Sequence, residues 1–228
     1  MDKRTAKEPD LSNRIGSAAG GGEPIEDWLA GRLVEEGLAE PSDAVLRVLR
    51  LLGRWDRRAY EAVAGTSTPL LDEPMRVVSR VADYSKPGLA TAAVLATVCG
   101  QTGRRAAVAG LVAVGATSFV VNQPMKLAGR RASPDRLVLR VPVRRWVPMP
   151  SSTSFPSGHA ASATAFAVAV GEVMPRLRLP LRIAAAVVCF SRVYTGVHYP
   201  GDVVIGAVTG AVIGRLTSRV AARLARPS

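Results

Sequence analysis

This sequence of 228 residues contains few histidines and few cysteines. Acidic residues are also scarce, but only beyond residue 86. Residues 87–228 contain 17 Lys and Arg but only 3 Asp and Glu, so the net charge of +12 arises entirely in that part of the chain. The two cysteines, Cys99 and Cys189, lie inside apolar runs. There a small buried side chain is far more common than a disulfide or a metal ligand. The cysteines therefore predict no cross-link and no metal site.

The basic residues beyond residue 86 form clusters that bracket long uncharged runs instead of lining one polar face. Short loops beside membrane helices have this composition, whereas nucleic-acid binding needs a continuous basic surface. We therefore expect a bilayer as the partner of this chain, and no nucleic acid.

Two of the uncharged runs have the length of a membrane span. Residues 87–103 and 106–125 contain 17 and 20 residues without a charge, and a helix needs about 20 residues to cross a bilayer. The sequence predicts a tight positive turn at Arg104 and Arg105 between them, and further spans at about 158–174, 180–197 and 202–220. The predicted fold is an all-α integral membrane bundle of about five transmembrane helices. Small residues that would let these helices approach closely are Gly110, Gly115, Ala160, Ala161, Ala163, Gly206, Gly210 and Gly214.

The first 86 residues divide into two predicted regions. Residues 1–41 are mostly polar, carry charges of both signs and contain a glycine-rich run, which predicts a flexible tail without an export signal. Residues 42–86 place apolar side chains and arginines on opposite helix faces. This pattern is typical of amphipathic helices in a membrane interface, although core packing in a soluble domain gives it too. Helix breaks are predicted at 65–69 and at Pro74, and residues 87–228 form the predicted membrane domain.

Both histidines of the chain lie in short motifs that also hold hydroxyl, arginine and carboxylate groups. The first motif, Phe155-Pro156-Ser157-Gly158-His159, precedes a predicted helix, whose free backbone N–H groups attract anions. Gly158 lets an oxyanion approach the chain closely, while Ser157 adds a hydroxyl donor and His159 can give a proton to a leaving oxygen. A helix cap has the same composition, so this motif alone is a weak indication.

The second motif is Ser191-Arg192, five residues, His198, three residues and Asp202. His198 and Asp202 are close enough for the carboxylate to hold one imidazole nitrogen and leave the other free to attack. Arg192 offers a forked donor to phosphate oxygens. A capping Asp202, a snorkelling Arg192 and a histidine bonded to backbone are structural alternatives, but packing does not explain why all three occur together.

The motifs resemble the signature of the type 2 phosphatidic acid phosphatase superfamily, which includes bacterial membrane lipid phosphatases and, more distantly, vanadium-dependent haloperoxidases. That signature has three parts: Lys, six residues, Arg-Pro; then Pro-Ser-Gly-His; then Ser-Arg, five residues, His, three residues, Asp. The second and third parts match without a gap, while the first matches at Lys126 and Pro134 but has Ser133 at the arginine position. Arg130 and Arg131 precede Ser133, and Arg131 could reach the same phosphate from a neighbouring turn.

The resemblance implies that His198 attacks phosphorus to form a phosphohistidine, that Asp202 orients His198, and that His159 protonates the leaving alcohol. It implies a phosphate site formed by Lys126, Arg131, Ser157, Gly158 and Arg192. It implies no metal ion and no other cofactor.

The resemblance also implies a multi-pass protein of the plasma membrane that acts on a lipid phosphate or polyprenyl phosphate. A polyprenyl-phosphoryl-phosphoribose of cell-wall synthesis is one expected substrate, and phosphatidate, phosphatidylglycerophosphate and undecaprenyl pyrophosphate are alternatives. A non-catalytic lipid-binding scaffold and a haloperoxidase are hypotheses of other classes. The sequence predicts no oligomeric state.

Five spans would put the N-terminus, the loop at 126–155 and the turn around His198 on one side of the membrane. Arginine clusters at the other helix ends favour the opposite side as cytoplasmic. The long polar N-terminus and the arginine-rich loop before Phe155 favour the reverse. We expect the active site to face the cytoplasm.

Overall fold

A computed structural model describes residues 43–125, 131–150 and 152–224. Seven α-helices lie in these ranges: α1 Asp43–Gly65, α2 Pro69–Val81, α3 Lys86–Val98, α4 Gly100–Val120, α5 Gly158–Val173, α6 Arg178–Tyr194 and α7 Pro200–Leu224. Single helical turns lie at Asp83–Ser85, Val121–Met125, Val143–Arg145 and Pro175–Leu177. None of the described residues forms a β-strand, so the all-α class predicted from the sequence is confirmed. The predicted tail, residues 1–41, lies outside the described ranges.

Helix α5 lies at the centre of the bundle, where it packs against α4, α6 and α7. Most of its residues are buried, and many of them are alanines. Because alanine side chains are short, three neighbouring helices can approach α5 at once. On the side of α3 and α4, Phe166 and Val170 of α5 pack in an apolar cluster with Leu95 and Ala107.

The contact between α5 and α7 depends on three glycines spaced four residues apart on α7: Gly206, Gly210 and Gly214. A Cβ atom built on any of them would lie within 2.6 Å of a backbone carbonyl oxygen of α5 or of its N-cap residue. No real side chain tolerates so short a contact, so glycine is required at these positions. This seam of glycines fixes how α7, which carries Asp202, lies against α5, which carries His159.

The first two apolar runs are divided differently from the sequence prediction. The chain reverses at Cys99 and Gly100, where Gly100 has a φ of +58°, a conformation that favours glycine. Arg104 and Arg105 lie inside α4, so the turn predicted there is wrong. Their charge does not interrupt the helix because long arginine side chains can extend from its surface to a polar region.

The predicted break at 65–69 is confirmed, since α1 ends at Gly65 and α2 begins at Pro69. The break predicted at Pro74 is wrong, because Pro74 lies within α2. A proline there removes one backbone donor, and this short helix continues past it. The helices predicted at 158–174, 180–197 and 202–220 correspond to α5, α6 and α7.

One helical stretch in the described part of the chain, Pro200–Val220, is both long and apolar enough to cross a membrane. Helix Lys86–Val98 is apolar but shorter. The five spans therefore stay a prediction.

Candidate active site

The two histidine motifs meet at one end of the bundle, where α5 and α7 begin and α6 ends. His159 lies in the first turn of α5, and His198 lies in the short connection between α6 and α7. Gly196 turns that connection sharply, with a φ of +71°. Gly158 and both histidines line one cavity of about 410 Å³, so the structure brings the two motifs together.

His198 is held from behind by Asp202 and Ser154. Oδ2 of Asp202 lies 3.7 Å from Nδ1 of His198, and the Ser154 hydroxyl lies 3.4 Å from the same nitrogen. Ser154 donates its own hydroxyl proton to Oδ2 of Asp202 at 2.5 Å. Nδ1 therefore faces the protein, and Nε2 is the nitrogen left for a substrate.

Burial lowers the pKa of the His198 imidazole below its usual value of 6.5, and the positive charge of Arg192 acts in the same direction. The hydrogen bond and negative charge of Asp202 oppose this shift, but burial is the larger effect. At neutral pH His198 is therefore mainly uncharged, which is the form that can attack as a nucleophile.

The start of α5 is tied to the start of α7 through Ser157. The Ser157 hydroxyl accepts the N–H of Ala160 at 3.5 Å, and the Ser157 N–H donates to the backbone carbonyl of Asp202 at 3.0 Å. Ser157 is fully buried, whereas Gly158 and His159 form the cavity wall. Of the residues predicted in this motif, Ser157 therefore supports the site, and Gly158 and His159 face it.

Arg192, predicted to bind phosphate, is fixed by α2. Its Nη1 donates to the carbonyl and the hydroxyl of Ser79 at 3.0 and 2.7 Å. The side chain is only 2% exposed, and its Nε has no hydrogen-bond partner among the residues that the structure describes. The guanidinium is thus held rigidly with donor capacity left for an anion.

Asp83, in the turn after α2, joins the site although the sequence motifs did not include it. Its Oδ1 lies 2.9 Å from Nε2 of His159 and 3.8 Å from Nη1 of Arg192. Each histidine of the chain is therefore paired with an aspartate, His198 with Asp202 and His159 with Asp83.

Arg131, predicted to bind phosphate, lies on the far side of Asp202 from the cavity. Its Nη1 donates to Oδ1 of Asp202 at 2.8 Å, and its Nη2 donates to Oδ2 of Asp56 at 2.9 Å. The side chain is 3% exposed, and its guanidinium lies 3.9 Å from the ring centre of Tyr199. The structure thus places Arg131 against the carboxylates and away from the cavity wall. Lys126 and Arg130 lie outside the described residues.

The loop that carries Arg131 and Ser154 is anchored by a second buried arginine. Arg145 is completely buried; its Nε donates to Oδ1 of Asp72 at 2.6 Å, and its Nη1 donates to the carbonyl of Val63 at 3.0 Å. Tyr194, at the end of α6, donates its hydroxyl to the same oxygen of Asp72 at 2.5 Å. This cluster fixes the loop to α1, α2 and α6 without touching the histidines.

A smaller apolar cavity of about 100 Å³ adjoins the histidine cavity. Its walls come mainly from α3, α5 and α6, and it shares His159 and Ser162 with the larger cavity. The site therefore has a polar part between the histidines and an apolar part between the helices.

A family model for the PAP2 superfamily matches residues 106–226, just over half of the chain. The chain belongs to the PAP2 superfamily. The match includes both histidine motifs, so the family resemblance predicted from them is confirmed.

Two PAP2 relatives illustrate what the chain resembles. It is 38% identical over 99 residues to the decaprenylphosphoryl-5-phosphoribose phosphatase of Mycobacterium tuberculosis, a match that covers 42% of this chain and 52% of that protein. It is 44% identical over 64 residues to the undecaprenyl-diphosphatase of Sulfolobus acidocaldarius, over 28% of this chain and 31% of that one. The chain thus spans about half the length of its mycobacterial relative.

A crystal structure of a transmembrane PAP2-type phosphatidylglycerolphosphate phosphatase from Bacillus subtilis has the same fold. It superposes with a TM-score of 0.60 at 20% identity, over 90% of this chain and 99% of that one. At this identity the likeness concerns the fold alone.

Several residues of this PAP2 site had no part in the sequence prediction: Asp56, Ser79, Asp83 and Ser154. Three of them belong to α1, α2 or the turn after α2, which the sequence assigned to a separate interfacial region. The available signal was the position of Asp83 just before the first apolar run, beyond which acids are scarce.

Proposed function

We propose that this chain is a membrane lipid phosphatase that removes phosphate through a phosphohistidine on His198. The observation that carries the proposal is the shared cavity. His198 and His159 both line it, and Asp202 lies behind the nitrogen of His198 that faces the protein. A nucleophile and a proton donor that face the same space are what phosphoryl transfer needs.

In the proposed reaction the lone pair on Nε2 of His198 forms an N–P bond while the P–O bond to the leaving group breaks. The leaving oxygen takes a proton from His159. Water then attacks phosphorus and gives a proton to His159, and the N–P bond breaks to release phosphate and neutral His198. Asp202 holds the imidazole throughout and stabilises the positive charge that the ring carries in the intermediate.

Charge on the transferred phosphate must be neutralised, which in such sites is usually the largest single contribution. We assign this task to Arg192, whose Nη1 lies 3.8 Å from Asp83 beside His159, and to the N–H groups at the start of α5. Lys126 is proposed as a further phosphate ligand from the family signature. No metal ion has a role in these steps, so activity in excess chelator is the expected result.

The proposal includes a multi-pass location in the plasma membrane. It is supported by large apolar side chains exposed on α3, α4, α6 and α7, such as Val98, Phe119, Leu179 and Val208. A soluble monomer rarely exposes so much apolar surface. Five spans, α3 to α7, remain our proposal.

Helix α1 is proposed to lie in the membrane interface, because it exposes Val48, Leu52 and Trp55 among its arginines. We further propose that the histidine end of the bundle faces the cytoplasm. We propose three regions: a tail at 1–41, interfacial helices at 42–86 and a catalytic domain at 87–228. Residues of the second region also contribute to the site, namely Asp56, Ser79 and Asp83.

The substrate class proposed is a polyprenyl-linked or phospholipid phosphate. The named mycobacterial relative favours a polyprenyl-phosphoryl-phosphoribose over phosphatidate, phosphatidylglycerophosphate or undecaprenyl pyrophosphate. The apolar cavity beside His159 supports a substrate whose carbon chain stays among the helices.

The test is phosphate release by the purified protein in detergent, with these four substrates compared at equal concentration. We expect the polyprenyl-phosphoryl-phosphoribose to give the highest kcat/KM, with activity retained in chelator. His198→Gln and His159→Gln should each lower kcat by roughly 100-fold or more. A wild-type protein that binds these lipids and releases no phosphate from any of them would instead be a lipid-binding scaffold.

A further inference from the structure

Three buried charged groups lie in a row behind His198. The side chains of Asp56, Arg131 and Asp202 are 7%, 3% and 0% exposed, and Arg131 is bonded to both carboxylates. None of the three lines the histidine cavity. We propose that Arg131 and Asp56 are positioning residues that fix and charge-balance Asp202, and that Arg131 is not a phosphate ligand. The catalytic part of this inference rests on the proposed function.

Arg131 determines which oxygen of Asp202 is available to His198. It occupies Oδ1, while Oδ2 accepts from Ser154 and from the N–H of Tyr199 at 3.0 Å and faces Nδ1 of His198. Because a guanidinium donates in one plane, this bond prevents the carboxylate from rotating. The orientation of His198 therefore depends on a residue that never meets the substrate.

Asp56 completes the row by joining α1 to the start of α7. Its Oδ1 accepts the N–H of Gly201 at 2.6 Å, one residue before Asp202, and its Oδ2 accepts from Arg131. Asp56 therefore holds both the cation that touches Asp202 and the backbone that carries Asp202.

The charges of the row determine the electrostatic environment of His198. Two carboxylates and one guanidinium sum to one negative charge, which favours the positively charged ring of the intermediate. Loss of Arg131 would leave two negative charges and loss of Asp56 would leave none. The other charged groups that act on His198 among the described residues are Arg192 on α6 and His159 on α5, and neither belongs to the row.

The chain offers a direct measurement, because His159 and His198 are its only histidines. Selective ¹⁵N labelling of histidine in the full chain gives two imidazole groups whose titration can be followed by NMR in detergent micelles. The His159→Gln variant assigns the signals of His198. This readout does not require any turnover.

We expect Arg131→Met to raise the titration midpoint of His198 by about one pH unit, since a nearby cation is lost. Asp56→Asn should lower the midpoint, because it removes a negative charge while its Oδ1 can still accept from Gly201. The double variant restores one net negative charge, so its midpoint should return toward that of the wild type. Unchanged midpoints in both single variants would overturn the inference, whether or not the protein is a phosphatase.

Turnover provides the second arm of the test. Arg131→Met should lower kcat by roughly 10- to 100-fold, as the loss of an orienting partner usually does. KM and the inhibition constant of orthovanadate should stay within about threefold, because binding is not affected. Arg131→Lys should recover part of kcat. A large rise in both constants with unchanged kcat would make Arg131 a phosphate ligand and overturn the inference.

Arg145→Met is the matched control, since Arg145 is a buried arginine of the same loop, paired with Asp72. It should lower Tm as Arg131→Met does, but it should leave the midpoint of His198 unchanged. If Arg131→Met does not fold, the titration midpoint of His198 in Asp56→Asn still tests the inference, because this substitution removes a charge with little change in side-chain shape. If Arg145→Met shifted the titration midpoint of His198 as much as Arg131→Met does, the cause would be a general loosening of the loop, and the inference would be overturned.

Discussion

Oδ1 of Asp83 lies 2.9 Å from Nε2 of His159, the proposed proton donor to the leaving group. The same oxygen lies 3.8 Å from Nη1 of Arg192. Asp83 thus links the group that protonates the leaving oxygen to the arginine proposed to hold the phosphate. Burial disfavours the protonated form of His159, the form that the first chemical step consumes, and the negative charge of Asp83 opposes that effect.

Asp83→Asn should therefore weaken general acid catalysis selectively. We expect kcat to fall by roughly tenfold or more for an alkyl phosphate, whose leaving oxygen needs a proton. The loss should be much smaller for an aryl phosphate with a good leaving group. Glu73→Gln is the control, because Glu73 is an exposed acid of α2 that pairs with Arg76. Equal losses with both types of substrate would reject this role for Asp83.

The lowered pKa of His198 predicts the acid limb of the pH profile. His198 must be neutral to attack, and burial moves its protonation below pH 6.5. The decline of kcat/KM on the acid side should therefore lie below pH 6.5, at the lowered pKa of His198.

The Asp202→Asn variant tests the direction in which the pKa of His198 changes. Asp202 raises the pKa of His198, so its replacement should move the acid limb to still lower pH while kcat falls. A shift of the limb to higher pH in Asp202→Asn would contradict the assignment of the limb to His198.

Arg192→Lys should lower kcat/KM by about 100-fold, because a lysine cannot offer a fork of donors to phosphate and also bond to Ser79. The inhibition constant of orthovanadate should rise in parallel. Ser79→Ala keeps the guanidinium of Arg192 but removes one of its hydrogen-bond partners, so we expect a smaller decrease in kcat/KM and in vanadate affinity. If Arg192→Lys bound orthovanadate as tightly as the wild type, Arg192 would not be a phosphate ligand.

The glycine seam predicts a position-specific loss of stability. Gly210→Ala would put a Cβ 2.1 Å from the carbonyl oxygen of Ala161, and such overpacking costs about 1–3 kcal/mol. Gly115→Ala on α4 is the control, because no atom of the described part of the chain lies within 4 Å of a Cβ there and alanine favours a helix. Thermal unfolding should separate the two variants, with a lower Tm only for Gly210→Ala.

The sequence predicted the parts of this site whose residues are close together along the chain. His198 and Asp202 are four residues apart, and Gly158 and His159 are adjacent, so their spacing and the family signature were enough to assign them. Helices α5, α6 and α7 were predictable for a similar reason, because each contains a mainly apolar stretch with few charges, and such a stretch of this length favours a helix.

The remaining contacts join residues that are far apart in the chain. Arg131 meets Asp56 across 75 residues, and His159 meets Asp83 across 76. Helical periodicity indicates which face of α1 or α2 is polar, but it does not indicate which partner that face will meet. For this reason the sequence assigned Arg131 to the phosphate and placed α1 and α2 outside the site.

The glycine seam also determines the direction from which a lipid can arrive. Between α5 and α7 the backbones are too close for a hydrocarbon chain, since even a single added carbon atom would collide there. The apolar cavity beside His159 opens on the opposite flank of α5, toward α3 and α6. Under the proposed function, a membrane-anchored substrate would therefore approach the histidines from the flank of α3 and α6 and not through the contact between α5 and α7.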